Sequence, residues 1–234
     1  VGTGTLYLVG TPIGNLQDVS FRAVEVLKEV ALVLAEDTRR TQQLLNRYGI
    51  STPLTSLNEH NERAKALMLL RRMKEGESMA LVSDAGMPVI CDPGASLVAQ
   101  ARAWGIPVAV IPGPSAVTSA LAISGFRGDR FLFEGFPPRK PGQLKRWLER
   151  LAQCGSGEVV ICFESPFRLA KTLKTIQAVL GEVQVAVCRE MTKVYEEVVC
   201  GSTSEVLGRY TGRPVKGEIT LVFQLPIRKE SNTQ

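Results

Sequence analysis

Apolar runs in this chain repeatedly end in clusters of small, polar or charged residues. Leu6–Val9 is followed by Gly10, Thr11, Pro12, Ile13, Gly14 and Asn15, and Ala31–Ala35 by Glu36, Asp37, Thr38, Arg39 and Arg40. Met79–Val82 leads into Ser83, Asp84, Ala85, Gly86, Met87 and Pro88, and Pro107–Ile111 into Pro112, Gly113, Pro114 and Ser115. Later in the chain, Glu164, Ser165 and Pro166 follow one run, and Arg189 and Glu190 another. In sheets that alternate with helices, ligands bind outside the carboxyl ends of the strands. Glycines at such ends let a ligand approach the backbone, and carboxylates can accept protons or face a positive centre. The pattern implies a cleft enzyme with an organic ligand, and a ligand with a nucleoside-like body and a positive centre would suit that chemistry. Each acidic residue also has a local reading, as a helix N-cap or a first-turn charge.

Several other chemistries are not supported. No Gly-x-Gly-x-x-Gly follows a strand, so a Rossmann dinucleotide site is not indicated. There is no Walker-type phosphate loop and no Gly-x-Ser-x-Gly elbow, and His60 is the sole histidine. That count argues against a histidine-rich metal site, and no metal is expected. The five cysteines, Cys91, Cys154, Cys162, Cys188 and Cys200, form no Cys-x-x-Cys pair, so neither zinc nor a disulfide framework is indicated. Cys162 and Cys188 lie in apolar runs and read as core residues.

The elements that must position these clusters follow from periodicity. Strands are expected at Leu6–Val9, Ala31–Ala35, Pro53–Leu57, Met79–Val82 and Pro107–Ile111. Helices are expected at Phe21–Val30, Thr38–Tyr48, Asn61–Lys74, Ala95–Trp104 and Ser115–Ile123. In the first helix Val24, Leu27 and Lys28 are expected to share one face. Repeated β-then-α units predict a mostly parallel sheet covered by helices. After turn formers at Gly125 and Gly128, strands are expected at Arg130–Phe133, Val159–Phe163, Gln184–Cys188, Tyr195–Cys200 and Ile219–Gln224. Helices are expected at Gln143–Gln153, Phe167–Leu180 and Ser204–Tyr210. Strands outnumber helices here, so some antiparallel pairing is expected. The fold class is α/β, with an N-terminal domain over 1–124, a C-terminal domain over 125–227 and a mobile polar tail over 228–234.

Bulk properties fit that reading. The 234 residues suffice for two modest domains with proper cores. The hydrophobic fraction of 44% and charged fraction of 22% are ordinary for a globular protein. No apolar run is long enough to span a bilayer, and the first residues lack the order of a secretion signal, so a cytoplasmic location is expected. The net charge of +5 is compatible with a polyanionic partner but does not require one.

Taken together, the motifs resemble a known family. Leu6 to Leu16, Ala35 to Arg39, Leu81 to Pro88, Asp92-Pro93-Gly94 and Pro112 to Ala116 resemble the tetrapyrrole-methylase superfamily. Within it they resemble the branch that methylates a ribose 2′-hydroxyl in small-subunit ribosomal RNA. Glu134-Gly135-Phe136, Phe163 to Pro166, Arg189 to Lys193 and Lys216-Gly217-Glu218 extend the resemblance to nearly the whole chain.

The resemblance implies a two-domain class III methyltransferase, with S-adenosylmethionine in a cleft between the domains. It also implies 2′-O-methylation of a cytidine in 16S rRNA, with the RNA or the small ribosomal subunit as partner, and a homodimer. The cofactor residues it implies are Pro12, Asp84, Gly86, Met87, Ile90, Gly113, Ser115 and Ala116, joined by Phe163, Glu164 and Gly217. Met87 stands where a threonine is expected, Arg40 and Phe167 where a histidine is common, and Ser115 where a cysteine is.

A sulfonium methyl needs no covalent enzyme intermediate, so alignment is the main demand. A ribose hydroxyl is a weak nucleophile, and Glu36, Asp37, Glu59 and His60 are candidate proton acceptors. Asp37 reads equally as the cap of the Thr38 helix, and His60 as a residue that orders the start of the next one. The RNA candidates are Asn15, Arg39, Arg40, Asn61, Arg139 and Lys140. The last two sit in a proline-stiffened loop that can meet phosphate at small ordering cost. Lys145, Arg146, Arg127 and Arg130 are further candidates, and each one taken singly reads better as solvated surface. The alternatives are methylation of a small molecule such as a corrin precursor, or an RNA-binding module without turnover.

Overall fold

Four-residue strands with no polar side chain can persist only where both sheet faces are covered. Strands β2 (Leu32–Ala35) and β4 (Met79–Val82) are buried at every position, and β1 (Leu6–Val9) is buried at both ends. With β3 (Leu54–Ser56) and β5 (Val108–Ile111) they form an all-parallel sheet of order β3-β2-β4-β1-β5. The computed structural model describes residues 2–227, so the tail expected to be mobile lies outside the described residues.

Helices cover both faces of this sheet. On one side α3 (Glu62–Lys74) and α4 (Ala95–Ala103) pack Ala66, Leu69, Leu70, Met73, Leu97 and Ala101 onto Leu6, Leu34 and Leu81. On the other, α1 (Phe21–Glu29) and α2 (Thr38–Arg47) pack Ala23, Leu27, Leu44 and Leu45 onto Val9, Val33 and Val82. The inward stripe of α1 is therefore Ala23 and Leu27. Lys28, expected on that face, points to solvent, as a charge with a long stem does more cheaply than it buries. Ser20 caps α1 by accepting from the Ala23 N–H at 3.1 Å.

The second sheet is mixed, with order β6-β7-β10-β8-β9. β6 (Phe131–Phe133) runs parallel to β7 (Val159–Glu164). β10 (Ile219–Gln224) is antiparallel to both β7 and β8 (Gln184–Arg189), and β9 (Glu197–Ser202) is antiparallel to β8. One core joins this sheet to α6 (Pro141–Cys154), α7 (Leu169–Leu180) and α8 (Thr203–Tyr210), through Leu148, Leu173, Ile176, Val206 and Tyr210. Cys162 and Cys188 are buried, as their apolar settings predict.

Helix α5 (Ala116–Ser124) packs on this second sheet, against β7, β8, β9 and β10. The chain accordingly divides into compact units at Ser115/Ala116, earlier than the turn at Gly125 that marks the boundary in the sequence. A glycine turn marks where a helix stops, not which sheet its apolar face (Val117, Ala120, Leu121) seeks. A short 3-10 helix at Leu16–Asp18, not anticipated, is capped by Asn15 and held by the Tyr48 hydroxyl, which donates to the Leu16 carbonyl at 2.6 Å.

Candidate active site

All five strands of the first sheet are parallel, so their carboxyl ends share one rim. The loops there are tied to each other. Thr11 and Gly86 form a two-way backbone bridge, N–H to carbonyl at 2.9 and 3.0 Å, which joins the β1 loop to the β4 loop. The Thr11 hydroxyl donates to the Ser83 carbonyl at 3.2 Å. Gly10 and Gly113 touch backbone to backbone: a Cβ built on Gly113 would lie 2.8 Å from Gly10, and one on Gly10 would lie 2.7 Å from both Gly113 and the Met87 sulfur. These glycines therefore serve close approach of the β1 and β5 loops, with Met87 laid over Gly10. The β2 loop joins through Asp84, which accepts from the Asp37 N–H at 2.9 Å and faces Arg40 at 3.7 Å.

The loop from Ser83 to Gly94 is strained. Gly86 has φ +81, and a Cβ there would make ordinary van der Waals contact, at 3.5 Å, with the Ile13 side chain and the Pro114 carbonyl. Val89 and Cys91 adopt φ 75 and 63, rare for any residue with a Cβ and rarer for a β-branched one. They flank Ile90, whose side chain is held out at 48% exposure. Such strain, on the order of 1–3 kcal/mol per residue, persists where surrounding structure over-determines it and clusters at ligand sites. The loop is anchored at its far end by Glu62 of α3. Its carboxylate is buried and accepts from the Gly94 and Leu97 N–H groups at 3.3 and 2.8 Å, capping α4, which has no cap of its own.

Electrostatics separates the acidic candidates. Asp37 accepts from the Arg39 N–H at 2.9 Å and pairs with the Arg39 guanidinium at 2.8 Å, which pulls its carboxyl down to about 2. It is thus the cap of α2, and in this form a poor proton acceptor. Glu36 is raised, by burial first and then by Asp92, Asp84 and Glu59, with Arg40 opposing. Asp92 is pushed up to about 6 by burial, with Asp84 adding to the rise and a Ser83 hydrogen bond working against it. Glu36 and Asp92 therefore share one acidic neighbourhood. Asp92 belongs to a recognised motif but is absent from the expected acceptors, because only the folded 84–94 loop brings it to Glu36. His60 is exposed at the turn before α3, and its N–H donates to the Asn58 side chain at 3.1 Å. Among the described residues no group of three or more His, Cys, Asp or Glu side chains is placed to hold a metal ion.

The other candidates fall as follows. Pro12 is buried beside Thr11 on the rim, Ser115 ends the first unit, and Ala116 opens α5. Asn15 faces its own turn by accepting from the Gln17 N–H. Asn61 is half-buried and bonded to Asn58 and Ser56. In the second unit the Phe163 ring meets Phe133 at 5.1 Å and Phe136 at 5.5 Å. Glu164 has its carboxylate turned inward, accepting from the Ser165 N–H at 2.7 Å and the Thr172 hydroxyl, with Arg168 at 3.5 Å. What it can offer outward is backbone. Gly217 has no room for a side chain against Glu190, whose carboxylate accepts from the Glu218 N–H and Lys193 at 2.8 Å each. Arg139 and Lys140 are exposed, without an ion-pair partner among the described residues.

Comparison with known proteins decides the family. The model of tetrapyrrole (corrin/porphyrin) methylases matches residues 5–207. The chain belongs to the tetrapyrrole methylase family. Among its curated relatives is ribosomal RNA small subunit methyltransferase I of Thermotoga maritima, 49% identical over 220 residues, which cover 94% of this chain and 98% of that protein. The proteins of the same name from Haemophilus influenzae and Bacillus subtilis are each 43% identical, the chain covering 82% and 75% of their lengths. Solved tetrapyrrole-methylase-like folds include a diphthine synthase (TM-score 0.69, 14% identity, 95% of this chain and 89% of that one). Another is the uroporphyrin-III-C-methyltransferase of Thermus thermophilus (TM-score 0.62, 19% identity, 94% and 91%). At those identities the likeness shows the α/β class III methyltransferase fold.

Proposed function

We propose that this chain transfers a methyl group from S-adenosylmethionine to small-subunit ribosomal RNA, at the ribose 2′-hydroxyl of a cytidine. The observation that supports small-subunit ribosomal RNA as substrate is near-full-length identity of 49% to a protein named for methylating that RNA, and the cytidine 2′-hydroxyl rests on the motif resemblance alone. Methylation of a small tetrapyrrole has only the family name and low-identity folds behind it.

The rim of the first sheet fits such a cofactor. Its glycine-tight loops present backbone at Gly10, Gly86 and Gly113, Ile90 offers an apolar side chain, and Glu36 and Asp92 are carboxylates suited to a cationic centre. Pro12, Asp84, Gly86, Met87, Ile90, Gly113 and Ser115 would hold it there. When bound, the cofactor supplies an electrophilic methyl on sulfur. The protein must then orient the hydroxyl and accept its proton. A carboxylate with raised proton affinity suits that task near neutral pH better than one at about 2, which favours Glu36 and Asp92 over Asp37. Arg39, Arg40, Arg139 and Lys140 are proposed phosphate contacts. A cytoplasmic homodimer is part of the same proposal.

Labelled methyl transfer to unmodified ribosomal subunits and to naked RNA, with mapping of the product, tests this. The expected product is 2′-O-methylcytidine at one position. Label on tetrapyrroles alone, or on a base rather than a ribose, overturns it.

A further inference from the structure

Two loops of the second unit are bonded into one surface. The Phe163 N–H donates to the Gly135 carbonyl at 2.8 Å, and the Arg168 guanidinium donates to the carbonyls of Pro137 and Pro138 at 2.9 and 3.0 Å. Arg168 is held in turn by the buried Glu164. The 134–140 and 164–168 segments are thus fixed by three hydrogen bonds, one ion pair and three prolines, Pro137, Pro138 and Pro166. Their outer side is unusual. Phe167 stands 91% exposed and Phe136 63% exposed, with Phe136 propped against Phe163 at 5.5 Å. Arg139 and Lys140 follow Phe136 in the segment that Arg168 ties to Phe167's loop, exposed and without an ion-pair partner among the described residues. Lys140 leads into α6, which opens on Pro141, and the Lys140 carbonyl accepts from the Gln143 and Leu144 N–H groups at 3.0 and 2.9 Å, so the basic pair is carried on a fixed helix entry.

Single exposed apolar side chains are common and need no explanation. Two phenylalanine rings on one stiffened surface, with two unpaired cations in the same tied segments, are a different case. Phe167 gains nothing for folding where it stands. Rings and cations carried together match the chemistry of unpaired nucleotides, whose bases stack on aromatic faces while phosphates meet Lys and Arg. A duplex hides its base faces, so the match is to single-stranded RNA.

We infer that the 134–140 and 164–168 loops form a platform for single-stranded RNA, with Phe136 and Phe167 stacking on bases and Arg139 and Lys140 meeting phosphates. The inference rests on the reading of RNA as substrate and adds which part of the chain takes it and in what form.

The test uses the whole protein and a fluorescein-labelled 12-nucleotide RNA of mixed sequence, single-stranded or paired with its complement. The wild type should bind the single strand more tightly. Phe167→Ala should weaken single-strand binding about tenfold without changing the salt slope, and Phe167→Trp should restore it. Arg139→Ala with Lys140→Ala should reduce the slope of log K against log salt by about 1.4. Melting curves of the Phe167 variants should match the parent, since the ring packs on so little. Unchanged binding by Phe167→Ala, or tighter binding of the duplex by the wild type, overturns the platform, even if methyl transfer to ribosomal subunits is intact. Normal oligonucleotide binding with these variant effects, but no methyl transfer to any RNA, supports the platform and overturns the catalytic reading instead.

Discussion

At the residue scale, Asp92 and Gly86 give the sharpest expectations. If Asp92 accepts the proton, methyl transfer should fall as pH drops through about 6, where the carboxylate becomes protonated. Asp92→Asn should lower the rate at neutral pH at least tenfold and remove that acid limb; a variant that keeps the limb assigns it to another group such as Glu36. Stability gives a second readout. The folded value lies above the ordinary 3.8, so the folded state binds the proton more tightly than the unfolded one. The benefit is complete below about pH 4 and is lost as pH rises through 6. Asp92→Asn should therefore stabilise the protein above pH 7, on the order of 1 kcal/mol after discounting for partial exposure, and the gain should disappear in melts at pH 4. At Gly86, φ +81 rather than crowding is the constraint. Gly86→Val should cost about 1–3 kcal/mol of stability and abolish S-adenosylhomocysteine binding in calorimetric titration. A folded variant that binds normally would remove this loop from the cofactor site.

At the scale of elements, the loops are held by groups drawn from elsewhere in the chain. Glu62→Ala should leave two N–H groups of the α4 entry without their acceptor and destabilise by about 2 kcal/mol in denaturant unfolding, with Glu62→Gln losing less. Gly113→Ala should force apart the β1 and β5 loops, costing about 1–3 kcal/mol, and should weaken cofactor binding in the fraction that stays folded. These supports were hard to read from the sequence. Glu62 sits in a polar stretch that reads as helix surface, and only the approach of α3 to α4 buries it. By contrast, β1, β4 and β10 have the bounds that their apolar runs predict, because such a run can hardly be anything but a covered strand. The rim clusters were legible for the same reason, since strand ends are where the apolar pattern stops. What was not legible depends on pairing between distant loops: the nearness of Asp92 to Glu36, the inward turn of the Glu164 carboxylate, and the choice of α5 for the second sheet.

At the scale of the whole molecule, the chemistry should need no metal. An electrophilic sulfonium carbon requires alignment and a proton acceptor, not a Lewis acid. Methyl transfer should be unchanged by excess chelator once the free-magnesium level needed to keep the RNA substrate folded is matched by a control salt; loss restored only by a transition metal would contradict this.

The division at Ser115/Ala116 also bears on how the protein is made. Neither sheet borrows a strand from the other half of the chain, so the first sheet has all its strands before any strand of the second is synthesised. Its order, however, is not the order of synthesis. β1 leaves the ribosome first, yet its two neighbours are β4 and β5, the last strands of that unit. An apolar strand must therefore wait, unpaired, until residue 82 has emerged, and it keeps one edge open until residue 111 follows. Domains fold as units during synthesis, and unpaired strand edges are where nascent chains aggregate. The β1 segment is thus the stretch of the nascent chain for which a chaperone would have the longest access.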